Sequence, residues 1–159
     1  MAGWDSTQVG ALSVKQIAAM DVTQLSSTQF GMLTTTQIAS LGSAQVASLS
    51  TDQIGAWSAT QIAALSAAGI SGLETADMAT FDAADIAAIS NKALAGLSAA
   101  NILALGSAQG AGLTTGQIAG LSSTQIGALT SDEISGWDST QIAALSAKQM
   151  AALAMSALS

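Results

Sequence analysis

Large apolar residues recur along this chain at a fixed spacing, and each but Leu105, which meets Gly110, is followed five residues later by a second one. From Leu33 the sequence reads in eights as LTTTQIAS, LGSAQVAS, LSTDQIGA and WSATQIAA, and it keeps that phase through LSSTQIGA, LTSDEISG, WDSTQIAA and LSAKQMAA. Each octad opens on a lead position, Leu in fourteen of twenty units and otherwise Trp4, Trp57, Trp137, Met20, Phe81 or Ile89. A cap position follows, Ser, Thr or Asp in sixteen units. Then come two variable residues, a glutamine slot, an isoleucine slot and two small residues. Units start at 4, 12, 20, 25, 33 and every eight residues from there to 153, so one interval is five residues long. Three residues are missing near 20–28, where Leu25 reads both as the isoleucine slot of one unit and the lead of the next. A kink or tighter corner is expected there, and residues 4–159 read as a single octad array with no linker.

Ser/Thr/Asp-x-x-Gln/Glu is a capping box. The hydroxyl or carboxylate accepts from a first-turn N–H, and the Gln or Glu accepts from the N–H of the cap residue itself. A helix start is therefore written every eight residues. One continuous helix is excluded by geometry: eight residues at about 100° each leave the lead positions advancing around the axis, so no stripe or coiled-coil seam forms. Helices of five or six residues cannot persist alone, so each unit depends on its neighbours. The expected fold is all-α, a solenoid or superhelix of very short helices, one per octad, coiling around a Leu/Ile axis with Ser, Thr and Gln outside. The alternative is a β-solenoid, because eight is even and strand alternation would stay in phase. Ala-rich composition, Gln and Leu enrichment and scarce Val and aromatics stand against it.

Composition narrows the chemistry. The 159 residues are 50% hydrophobic and 8% charged, with a net charge of −7 and no Cys, His, Pro or Tyr. Thiolate nucleophiles, Cys/His metal sites and Ser-His-Asp triads are excluded, and no enzyme activity is expected. Three Lys against ten acids disfavour nucleic acid and anionic membrane surfaces as partners. Ser, Thr, Asp or Gln interrupts every apolar run well short of the ~20 residues of a membrane helix, so no membrane insertion is expected. The opening segment MAGWDSTQVG lacks the basic and apolar regions of a secretion signal. The repeat begins at once at Trp4, as in a segment of something longer.

Units such as LTTTQIAS, LSSTQIGA and WDSTQIAA resemble the octapeptide tracts of Leu-Thr-Thr-x-Gln-Ile-Ala-Ala type found in large bacterial surface or secreted proteins described as adhesin-like. The resemblance runs from Trp4 to Leu153 and is weakest from Gly69 to Gly110, where Gly69, Asp77, Asp85, Ala93 and Asn101 replace the Gln. It implies an extracellular or cell-surface spacer and carries over no catalytic residue.

Several features invite sharper readings. Glu74, Asp77, Asp82 and Asp85 lie in two adjacent octads with Asn91 nearby, and carboxylates of this kind are what Ca²⁺ takes. The competing reading makes them two capping pairs at helix N-termini, where acids also suit the dipole, and no cofactor is expected. The pairs Ser13/Lys15, Ser90/Lys92 and Ser146/Lys148 put Ser at the cap and Lys at a variable position. Trp4, Trp57 and Trp137 occupy lead positions, as core fillers do. Gly110 in the isoleucine slot deletes a core side chain and predicts a distorted unit. The terminal units lack polar caps, with Ala154 and Ala157 at the cap and glutamine slots, which favours self-association end to end or side by side. The expected function is a non-catalytic structural module, a spacer or self-assembling element. The alternative is a binding module that recognises carbohydrate or an ice-like array through its Ser/Thr/Gln face.

Overall fold

The computed structural model describes residues 3–156, with side chains through Ala154. Among these residues it holds eighteen α-helices, one 3-10 helix and no strand, so the chain is all-α and the β-solenoid alternative is set aside. The reason is visible at each start. Thr34 is extended at φ −70° and ψ 157°. Its hydroxyl accepts from Gln37 N (3.3 Å), while Gln37 Oε1 accepts from Thr34 N (2.8 Å). The same reciprocal pair opens the helices Ser27–Gly31, Thr51–Ile54, Ala59–Ala64, Thr115–Gly120 and Ser123–Gly127.

Each helix ends where the next lead residue arrives. Leu65 N donates to Ile62 O (3.1 Å), and Leu65 then turns to ψ 135°, followed by Ser66 at φ −79° and ψ 162°. Two consecutive extended residues, lead and cap, thus make the corner. Left-handed backbone is not needed: among the described residues only Gly3 has positive φ.

Three units make one turn of the solenoid. Thr35–Ala39 packs on Ala59–Ala64, which packs on Ala83–Ala88, which packs on Ser107–Ala111; the two other columns run Ser43–Ala47, Ala67–Ile70, Asn91–Leu94 and Ser27–Gly31, Thr51–Ile54, Thr75–Met78. Lead and isoleucine-slot side chains point into one shared core, with Phe30, Ile38, Ile54, Ile62, Ile86 and Ile102 fully buried. Small residues at the end of the octad let turns approach. A Cβ on Gly72 would lie 2.2 Å from Ser43 O, and one on Gly112 would lie 2.4 Å from Ala83 O. The winding is stout: the surface of 7362 Å² is near the ~7,200 Å² that a compact protein of this mass exposes.

The shortened unit folds as the 3-10 helix Val22–Gln24 and still forms one side of a turn. Val22, not Leu25, fills its isoleucine slot. Gln53 Nε2 reaches Val22 O (3.5 Å) and Leu25 O (2.6 Å), as Gln61 Nε2 reaches Phe30 O (3.4 Å) and Leu33 O (2.7 Å) eight residues on. The missing residues are therefore the two variable ones and the glutamine, and Gln24 is not a slot glutamine. It is exposed and donates to Asp21 (3.3 Å).

Candidate functional site

The polar chemistry of the chain is concentrated in the glutamine slot. Placing Gln on the outside was incorrect: Gln29, Gln37, Gln53, Gln61, Gln117, Gln125, Gln141 and Gln149 are all buried. The cap uses only Oε1, and Nε2 is left to donate across to the preceding turn. Gln117 Nε2 donates to Ile86 O and Ile89 O (both 2.7 Å), Gln125 to Leu94 O and Leu97 O (both 3.0 Å), and Gln149 to Ile118 O and Leu121 O (both 2.8 Å). The acceptors stand 31 and 28 residues earlier: one isoleucine-slot carbonyl and the lead carbonyl that follows it. In the turns spanning the deletion the offsets shrink by three, so Gln37 reaches Val9 O and Leu12 O at 28 and 25 residues. The partnership of units is unchanged. One amide thus closes a helix start and ties two turns together.

Where the slot departs from Gln, the tie fails. Gly69, Asp77, Asp85 and Ala93 have no side-chain N–H to give at neutral pH, and the shorter Asn101 reaches Leu73 O alone (2.8 Å). These are consecutive units, more than one full turn. Asp77 is buried, and desolvation pushes its carboxyl above the usual aspartate range; the Glu74 N–H bond opposes that rise and the Glu74 charge adds to it. Glu133 is also buried and accepts from Thr130 N and Oγ1.

The four acidic residues fall into two capping pairs. Asp77 accepts from Glu74 N (2.8 Å); Asp82 accepts from Asp85 N (2.9 Å), and Asp85 from Asp82 N (3.2 Å). Among the described residues no three carboxylates are grouped to hold a metal ion. Ser13, Ser90 and Ser146 each accept a first-turn N–H through Oγ. Trp57 and Trp137 are buried core residues whose Nε1 atoms lack a partner, and Trp4 is half-buried. Gly110 does not distort its unit. The helix Ser107–Ala111 is regular, and a Cβ on Gly110 would meet Glu133 O at 2.6 Å and Trp137 Nε1 at 3.4 Å. Trp137 occupies the space, as Trp57 stacks on Phe30 in the same register at 6.0 Å between ring centroids.

The cross-turn role of Gln escaped sequence reasoning. Its signal was present: a capping box accepts Gln or Glu alike, yet Glu occupies the slot once, at Glu133. A position that needs a donor as well as an acceptor would select the amide.

Fold and glutamine ladder together define an all-helical repeat-tract protein. The model of the ALTTAQ repeat matches residues 22–59, 38–67 and 111–136, less than half of the chain. Its six letters correspond to the last octad position, the lead, the cap, the two variable residues and the glutamine slot, and the matches leave out most of the stretch in which the slot departs from Gln. No curated protein and no solved structure matches the chain.

Proposed function

We propose that residues 4–159 act as one structural array, a spacer or self-assembling element of a bacterial surface or secreted protein, without catalytic activity. The observation that supports this reading is the stacking rule itself: helix after helix packs on the one three units before it, and buried slot glutamines tie successive turns where the slot is Gln. Such a rule adds length without altering cross-section. The cap hydroxyls, which a carbohydrate- or ice-recognising face would need, are turned into first helical turns at Ser26, Thr34, Ser50, Ser58 and Ser122. No helix among the described residues is long and apolar enough to cross a membrane.

The test is a variant in which residues 41–64, one full turn, are duplicated in tandem. Small-angle X-ray scattering should show an unchanged cross-sectional radius and a maximum dimension greater by roughly 8–10 Å, one layer of packed helices. A broadened cross-section or a separate lobe would overturn the spacer reading.

A further inference from the structure

One column of the array carries a single broken rung. Gln53, Asp77, Asn101, Gln125 and Gln149 stand one above another at 24-residue intervals, on helices that pack in that order. Four of the five donate to a lead carbonyl 28 residues earlier: Gln53 to Leu25 O (2.6 Å), Asn101 to Leu73 O (2.8 Å), Gln125 to Leu97 O (3.0 Å) and Gln149 to Leu121 O (2.8 Å). The remaining carbonyl of the series is Leu49 O. It belongs to a buried residue, stands 28 residues before Asp77, and accepts no hydrogen bond among the described residues.

Asp77 and Asn101 have side chains of one length and use them differently. Asn101 Nδ2 crosses to the turn before and its Oδ1 makes no bond to Ser98 N, so its reach is spent on the tie. Asp77 Oδ2 accepts from Glu74 N (2.8 Å), so its reach is spent on its own helix start. A carboxylate only accepts, whereas a carboxylic acid carries one O–H donor, and a donor is what Leu49 O lacks. Asp77 is 5% exposed, and that burial pushes its carboxyl above the usual aspartate range. The charged groups around it are all acidic: Glu74 beside it, Asp52 on the helix Thr51–Ile54 below, and Asp82 and Asp85 on the next unit. The helix Ala99–Leu103 above and the preceding helix Ala67–Ile70 carry no charge, so no cation on these elements holds Asp77 ionised. Glu74 is exposed, so its N–H passes to water when the carboxyl leaves it.

We infer that Asp77 is a proton-controlled tie between the turns 41–64 and 65–88. On taking a proton from solvent, its carboxyl releases Glu74 N and donates its O–H to Leu49 O, as Asn101 donates to Leu73 O one turn above. Ionised, it closes only its own helix; protonated, it completes the column. The other slots of that seam give no substitute, because Gly69 has no side chain and Asp85 is half-buried with its Oδ2 on Asp82 N (3.2 Å). Acid therefore closes the seam, and alkali leaves it to apolar packing.

Carbon-detected nuclear magnetic resonance of the chain, titrated from about pH 8 to about pH 4, tests this directly. Asp77 Cγ, the Glu74 amide and the Leu49 carbonyl carbon should move with one midpoint, the Glu74 amide losing a bond as the Leu49 carbonyl gains one. Over the same range the protection of the Ile54 amide, corrected for intrinsic exchange, should rise about tenfold, the worth of one hydrogen bond. Protection of Ile118, in a seam tied by Gln, should stay level. Asp77→Asn should hold the Leu49 carbonyl at the wild-type acid position throughout, and Asp77→Ala should hold it at the alkaline position. A Leu49 carbonyl that ignores the Asp77 midpoint overturns the inference. So does Ile54 protection in neutral Asp77→Ala equal to that of the acid wild type, which would mean that protonation only relieves a desolvated charge. The wild-type titration alone reports the bond, so the outcome stands even where a variant fails to fold.

Discussion

A glutamine side chain offers an acceptor and a donor on one planar group, and the octad uses both. Gln117 accepts from Thr114 N (2.7 Å) and donates to two carbonyls of the turn below; Ile86 O keeps its bond from Ile89 N, so Gln117→Met strands two polar groups, Thr114 N and Ile89 O. It should lower stability by about 2–4 kcal/mol in denaturant titration, whereas Gln8→Met should lose only an exposed cap bond. In the opposite sense, Glu133→Gln supplies the missing donor one turn above Leu105 and should stabilise by about 1 kcal/mol. Asp77 gives the chain a pH signature. Its folded-state pKa is raised by burial, so the fold binds the proton more tightly than the unfolded chain. Stability should therefore rise as pH falls from neutral through the folded value, levelling near the ordinary aspartate value. Asp21 and Asp138 are held below that value, chiefly by the hydroxyls of Thr23 and Thr140, and their contribution is lost only at lower pH. In Asp77→Asn the rise above the ordinary aspartate range should disappear; a rise that persists would assign it to another carboxylate. The capping half of this chemistry was legible in Ser/Thr-x-x-Gln. The donor half was not, because no residue spacing within one octad reveals what lies a full turn away.

The short helix is an element defined by its ends more than by its interior. Capping starts it, a lead residue bonded to the isoleucine-slot carbonyl stops it, and two extended residues carry the chain around the corner. This explains how the array dispenses with Pro and with left-handed C-terminal caps. Where turns touch, the end of the octad must be small. Gly72→Ala would force a Cβ against Ser43 backbone, and the resulting displacement should cost about 1–3 kcal/mol. Gly42 sits at a cap position with open space and ordinary φ of −88°. Gly42→Ser should therefore add a side-chain cap and stabilise by about 0.3 kcal/mol, with both changes read from thermal midpoints. The octads were legible from periodicity, and their helices from the capping box repeated in phase with it. The shortened unit was misread, because MDVTQ retains a Gln that mimics the slot. Only the cross-turn bonds of Gln53 show that Val22 carries the isoleucine role.

At the scale of the molecule, three units per turn give a 24-residue period hidden beneath the eight-residue one. Its trace in the sequence is faint: Gly72 and Gly96, and Gly112 and Gly136, stand 24 apart, each with its Cβ position blocked by the turn below. The period of eight says nothing about how many units close a turn, since every unit carries the same signals. The turns made by 41–64 and 65–88 meet without a Gln tie, because Gly69, Asp77 and Asp85 fill the slots between them. Hydrogen exchange should reveal a subglobal opening there, with Ala59–Ala64 and Ala83–Ala88 less protected than Thr115–Gly120; uniform protection would mean that apolar packing alone carries that seam. The stacking of every unit on the third before it is tested most directly by nuclear Overhauser contacts from isotope-labelled Gln side-chain amides. Gln61 should contact Phe30 and Leu33, Gln117 should contact Ile86 and Ile89, and Gln125 should contact Leu94 and Leu97, all with slow amide exchange. Contacts displaced from these by a whole octad in either direction, or fast-exchanging amides with local contacts only, would contradict the three-sided ladder.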